Sequence, residues 1–441
     1  MSKTFRPWDV DQQWILPPSL HEFVPPGHVA HFIRDTVCSE LDLRAITSAY
    51  DEERGFPPYH PAMMVSLLLY GYSRGVYSSR KLAQACEERV DFMAVTAMNR
   101  PDFRTIASFR RRHLQALGAL FVQVLKLCRA AGLVKLGHVA LDGTKIQANA
   151  NVHKAMSYGR MRETEKKLAA EVSSWFARAE ASDAAEDDAH GGELRGDEMP
   201  DWASNKVERL ARIRAAKKAL EAEAKAPPPD EDDGPGPSSG MMRGGPLRAP
   251  DGGPPDRAQR NFTDPDSRVQ PTRAGFIAGY NAQIAVDGAH QIIIAQAMRT
   301  NPADRGALKP LLSAIRGALK TNPKEISADA GYCSEANLVH LARRGIAAYV
   351  ATGRAGRAQT QSGADRREKG SRVAAMALKL RCARWRSRYR LRKQIVEPVF
   401  GQIKHARGFR QFLLRGFDQV KQEWAMLCTV HNLLKLHRAM A

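Results

Sequence analysis

The chain has 441 residues, 43% of them hydrophobic, enough for two or three domains with substantial cores. Its 67 Lys and Arg against 47 Asp and Glu leave a formal charge of +20, which points to a polyanionic partner; nucleic acid is the commonest. Six scattered cysteines with no C-x-x-C pair exclude zinc-finger spacing and argue against a disulfide framework.

The opening MSKTFRPWDV lacks the apolar core of a signal peptide, and the apolar run Ala62–Tyr70 is too short to span a bilayer. The expected setting is cytoplasmic, with no membrane partner. Residues 1–135 read as a helical N-terminal domain. Ser79 suits the N-cap of a helix over Arg80–Arg89. Asp102 or Thr105 then starts a long helix that ends near Ala131, with Gly132 at the stop. Along it Ile106, Phe109, His113, Leu117, Leu120, Val124 and Cys128 form a core-facing stripe. Arg104, Arg110, Arg111 and Arg112 open its other face. Two readings stand side by side here: a helix-turn-helix-like DNA-binding unit, or a bundle with a solvated basic face.

The period then changes. His138–Leu141 is a short β run ending at Asp142-Gly143-Thr144, within a segment over 136–150. A helical insertion over 151–225 follows. Arg160–Ala181 carries Leu168, Val172 and Trp175 on one face, and Ala203–Lys225 carries Val207, Leu210, Ile213 and Leu220. The acidic segment Ser182–Asp201 separates them. A Pro/Gly-rich linker over 226–269 cannot pack a core.

Order resumes at Gly275, within a second segment over 270–441. Phe276–Val286 and Gln291–Met298 read as a hairpin, Asp304–Leu319 as a helix and Glu325–Ala328 as a strand ending at Asp329. Ser334 caps a helix to Arg344, and Ala347–Ala351 is another strand. The expected class is α/β, a mixed sheet flanked by helices, with an all-α N-terminal domain and a helical insertion after the first strand.

Three acids stand out. Asp142 and Asp329 end strands, so in neighbouring strands both would leave the same sheet edge. Glu397 is the lone carboxylate between Lys379 and Arg415, an interval with twelve Lys or Arg. Pro398 favours a helix that starts there, which puts Glu397 at the helix mouth. Each acid alone has a bland explanation, as a turn residue or an ion-pair partner of Arg392 or Lys393. Together they suit two Mg²⁺ ions roughly 4 Å apart, the charge needed by attacking and leaving oxygens of a phosphodiester. Lys404, nearly two helical turns past Glu397, returns to its face and can grip phosphate, or is simply solvated. The run Arg381–Arg392, with Trp385 and Tyr389 interleaved, suits backbone phosphates and an unpaired base.

The segments L-D-G-T-K-I (141–146), S-A-D-A-G-Y (327–332) and V-E-P-V-F-G-Q-I-K (396–404) resemble the three acidic motifs of the DDE transposases of bacterial insertion sequences. F-R-P-W-D-V-D-Q-Q-W, Y-H-P-A-M-M, Y-S-S-R-K-L-A, G-Y-N-A-Q-I-A-V-D (279–287) and H-N-L-L-K-L (431–436) extend the resemblance. It implies an RNase H-like catalytic domain over 136–150 and 270–441, and a DNA-binding domain over 1–135. It further implies cleavage at terminal inverted repeats and strand transfer, dependent on Mg²⁺ with Mn²⁺ as a substitute. Asp142, Asp329 and Glu397 become the metal-binding triad. Lys404, Lys393, Arg392, Tyr389, Trp385, Arg104 and Arg110 become DNA contacts. The pattern in relatives has Arg four residues before the glutamate; here Lys393 stands there, with Arg392 beside it and Tyr389 one place further upstream. The expected partners are double-stranded element ends and target DNA, bound by a homodimer. A catalytically silent DNA-binding descendant is the alternative.

Overall fold

The computed structural model describes residues 20–50, 58–190, 201–225, 253–272, 275–353 and 371–440. It divides into two compact units, one of residues 1–124 with 429–441 and one of residues 125–428. Residues 429–441, expected with the catalytic domain, fall in the helical unit.

The first unit is helical: α1 (Val29–Ser39), α2 (Arg44–Thr47), α3 (Pro61–Ser73), α4 (Ser79–Glu88), α5 (Val90–Thr96), α6 (Phe103–Arg112) and the start of α7 (Leu114–Ala130). The apolar run at Ala62 lies in α3, buried on every side from Met64 to Ser73. A helix apolar all round belongs at the centre of a core rather than on its surface. Among the described residues no helix is long and apolar enough to cross a membrane.

Asp102 caps α6 through the Arg104 and Thr105 amides, as its sequence position suggests. The α4 cap is Ser78, one residue earlier than expected. The long helix is two helices. At His113 the backbone leaves α geometry (φ −106°, ψ 16°), and the ring Nε2 lies 3.0 Å from Tyr50 Oη. The stripe from Ile106 to Cys128 is buried throughout.

One arginine corrects the exposed basic face. Arg110 is only 7% exposed, and its guanidinium donates to Tyr72 Oη (3.2 Å), the Tyr77 carbonyl (3.0 Å) and Ser79 Oγ (3.2 Å). Its three acceptors tie α3, the loop after it and α4 to α6. Arg104, Arg111 and Arg112 are exposed.

The second unit is built on a mixed sheet. In chain order its elements are β1 (His138–Gln147), β2 (Ala155–Ser157), α8 (Tyr158–His190), α9 (Asp201–Lys225), β3 (Gln259–Asn261), β4 (Arg268–Thr272), β5 (Gly275–Asp287) and β6 (Ile293–Arg299). Then come α10 (Leu308–Leu319), β7 (Glu325–Ala328), α11 (Glu335–Arg343), β8 (Ala347–Val350), α12 (Arg372–Lys379), α13 (Ala383–Gly401) and the start of α14 (Phe417–Met440). β5 pairs antiparallel with β1 along one edge and with β4 and β6, end to end, along the other. β7 is parallel to β1, and β8 is parallel to β7. The buried apolar runs Val139–Leu141 and Ala348–Val350 fit strands covered on both faces. Helix α10 packs on β6, and α13 on β1, β7 and β8.

The insertion is a helical pair with its own small core of Met161, Leu168, Leu210, Ile213, Ala216 and Leu220. α8 extends to His190, so the start of the expected acidic connection is helical; residues 191–200 lie outside the described residues. The linker expectation is overturned where the described chain resumes, past residue 252. Residues 226–252 lie outside it, whereas 259–261 pair with β2 and 268–272 with β5.

Candidate active site

Strand register places the first two acids. β1 and β7 pair through Leu141↔Ala328, so the next residues, Asp142 and Asp329, leave adjacent parallel strands side by side and on one face. Asp142 does not end its strand. β5 is long enough to accompany β1 to Gln147, so the strand continues past Gly143. What stops at Asp142 is the parallel neighbour.

Asp142 Oδ1 accepts from the Gly143 amide (2.9 Å), and Oδ2 from Arg392 Nη1 (2.5 Å), an ion pair with side chains 16% and 12% exposed. Asp329 Oδ1 accepts from the Gly331 amide (2.9 Å) and caps the short turn Ala330–Tyr332. Burial pushes the Asp142 carboxyl up to about 7; Arg392 opposes the rise, and Asp329 and Asp304 add to it. Asp329 is raised by burial and then by Asp304, with Arg392 again opposing. Carboxyl groups held up by burial and by one another are short of positive charge.

Asp304 was not foreseen. Its Oδ1 accepts from Asn281 Nδ2 (2.7 Å) and Gln283 Nε2 (2.6 Å), and the Tyr332 hydroxyl donates to Gln283 Oε1. The two motif glycines make room for it. A Cβ at Gly143 would stand 2.2 Å from Gln283 Nε2 and 2.7 Å from Asp304 Oδ1, and one at Gly331 would stand 2.7 Å from Asp304 Oδ2. A side chain at either position would have to displace these polar groups, so glycine in D-G-T and D-A-G-Y leaves them room. A signal was present: Asn281 and Gln283 alternate along a buried strand, so two amides share one face and demand a polar partner.

Helix α13 departs from expectation. It runs through Pro398 instead of starting there. Proline has no N–H for the carbonyl of Gln394, and that carbonyl instead accepts from Gln291 Nε2 at 3.1 Å. Glu397 is consequently inside the helix, exposed, and not at a helix mouth. It does not join the aspartates: among the described residues no three His, Cys, Asp or Glu side chains converge to hold a metal ion.

The expected DNA contacts divide. Lys393 is exposed, while Arg392 is turned inward to Asp142, with Tyr389 beside it. Lys404 lies in a turn of π-helix over Gln402–Ala406, where it donates to the Lys145 carbonyl (2.7 Å); burial lowers its pKa to about 8. It is neither a solvated lysine nor free for phosphate in this arrangement. Trp385 stacks on Tyr349 (5.9 Å), with Lys379 over both rings and Arg384 over Trp385. Arg384, Arg386, Arg388 and Arg390 are exposed.

Two family models match the chain. One, "Transposase domain (DUF772)", covers residues 18–112, and the other, "Transposase DDE domain", covers residues 254–433. The second contains Asp304, Asp329 and Glu397; Asp142 lies between the two matches. No curated protein and no solved structure matches the chain.

Proposed function

Because this chain belongs to the DDE transposases of the insertion-sequence type, we propose that it binds the terminal inverted repeats of a mobile element, cuts there, and transfers the strands into target DNA. The observation that carries this reading is the register that sets Asp142 beside Asp329 on neighbouring parallel strands. The strand order β6-β5-β1-β7-β8, with β5 alone antiparallel to both its neighbours β1 and β6, supports an RNase H-like core.

The half-buried aspartates fit a divalent cation: they offer hard oxygen ligands, and both are raised toward protonation by burial and like charge. Such an ion, Mg²⁺ or Mn²⁺, would supply charge neutralisation at the attacking and leaving oxygens of the phosphodiester. In its absence Arg392 partly neutralises Asp142. On this reading Glu397, exposed on α13, joins the aspartates as the third acid when DNA is seated. The exposed Arg384, Arg386, Arg388, Arg390 and Lys393 hold backbone phosphates, and Arg104 does the same from the N-terminal unit, within a homodimer on DNA.

That Glu397 forms no three-acid group with the aspartates among the described residues favours a second reading, a DNA-binding descendant that no longer cuts. Incubation of the full chain with its element-end DNA and Mg²⁺ or Mn²⁺ decides. Nicking at the repeat ends, absent in chelator, is expected; binding without nicking over the full range of ion concentration supports the silent reading.

Proton competition gives a further expected result. In the ion-free chain Asp142 keeps its proton up to about pH 7, above the unfolded value of 3.8, so this group favours the fold at low pH and loses that contribution as pH rises through about 7. A cation must displace that proton. Mn²⁺ affinity by calorimetry should weaken about tenfold or more from pH 7.5 to pH 5.5 and level off above pH 7.5. A flat profile would remove Asp142 from the ligands.

A further inference from the structure

Resting on the reading that this chain binds element-end DNA, we propose where and how its N-terminal unit does so. The Phe103 ring presses into an opened base step of the duplex, while Arg80, Lys81, Arg100 and Arg104 take the phosphates around it. Three observations carry it. First, the ring is more than packing requires. Phe103 is the first residue of α6 and is 37% exposed, whereas Ile106 and Phe109 of the same helix are buried in the core. An exposed ring on a cationic surface matches what a nucleotide offers, a flat apolar face flanked by phosphates.

Second, two guanidiniums lie over the ring. The Arg80 Cζ is 5.2 Å from its centroid and that of Arg104 is 5.6 Å away. Arg80 belongs to α4, which packs on α6, so tertiary folding and not helix spacing brings it to the ring. A guanidinium laid over a ring is held in place by the cation–π attraction and keeps its N–H edge for phosphate.

Third, the positive charge is uncompensated. Arg80, Lys81, Arg100 and Arg104 are exposed, and none forms an ion pair among the described residues. The neighbouring Asp102 is committed to the Arg104 and Thr105 amides and to the Thr105 hydroxyl. Arg80 and Lys81 stand in the first turn of α4 and Arg104 in that of α6, with no acid in either turn. Cations there oppose the helix dipole, so the arrangement costs stability until a polyanion arrives.

The test is titration of the full chain with fluorescent element-end duplex at several salt concentrations, in chelator so that no strand is cut. Wild type, Phe103→Ala and Arg80→Ala are compared. Phe103→Ala should weaken binding about tenfold with the salt slope of wild type, because a stacking contact releases no counterion. Arg80→Ala should weaken binding and reduce that slope by about one. In the wild-type complex a thymine near the ring should become reactive to permanganate, and it should fall silent in Phe103→Ala. Affinity within about twofold of wild type in Phe103→Ala overturns the proposal. So does a loss of affinity with a shallower slope, which would make the ring a prop for the arginines. Should Phe103→Ala not fold, the wild-type complex still decides, since the absence of any reactive thymine rejects the opened step. If wild type binds element ends no better than random duplex, the terminal-repeat reading itself fails.

Discussion

Asp329→Asn is expected to lower strand cleavage at element ends by about a thousandfold or more, with binding to the same DNA kept within about threefold. The fold should tolerate the change. Asparagine offers the same oxygen to the Gly331 amide that Asp329 caps at 2.9 Å, and the β7 register is set upstream by Glu325–Ala328. What disappears is negative charge at a place where burial and Asp304 already hold the carboxyl above its usual range. Asp142→Asn should match it in cleavage and should also release Arg392 from its 2.5 Å ion pair. Gel-shift titration and a nicking assay on one preparation separate the two properties. Cleavage within about tenfold of wild type in either variant would take that residue out of the reaction.

Arg110→Ala should destabilise the N-terminal helical unit by about 2–4 kcal/mol, because three acceptors lose a buried charged donor at once. Arg104→Ala, at an exposed position on the same helix, should stay within about 0.5 kcal/mol. Thermal unfolding followed by circular dichroism measures both. Arg104→Ala should instead weaken DNA binding and make it less sensitive to salt. If Arg110→Ala melts like wild type yet loses DNA affinity, this side chain serves the nucleic acid and not the packing.

These two arginines show where reading a sequence stops. Both stand on α6 among charged neighbours, and helical spacing turned both outward. Tertiary context decided otherwise for Arg110, because Tyr72, Tyr77 and Ser79 come from elements that no local pattern connects to it. Local signals fared better. Glu325–Ala328 is a strand with the expected bounds, and Ser334 caps its helix through the Asn337 amide. The adjacency of Asp142 and Asp329 was legible because a parallel pair needs only two strands and a common end. The place of Glu397 was not. Its reading rested on Pro398 as a helix start, whereas a side chain from a distant turn, Gln291, satisfies the carbonyl that proline strands. Asp304 escaped because its meaning lies in Asn281, Gln283 and two glycines spread over nearly two hundred residues.

The insertion has a consequence for how the chain acquires its shape. β1 and β5 make the longest ladder in the sheet, yet more than a hundred residues part them in sequence. Closing so wide a loop is entropically mild at equilibrium, about 0.6 kcal/mol for each doubling of length, but it slows the search for the partner strand. The α8–α9 pair, with its own apolar centre, can collapse early and draw Gln147 and Gly275 toward each other. Trimming the hairpin tip should therefore leave refolding speed nearly intact, whereas polar substitutions at Ile213 or Leu168 should delay it.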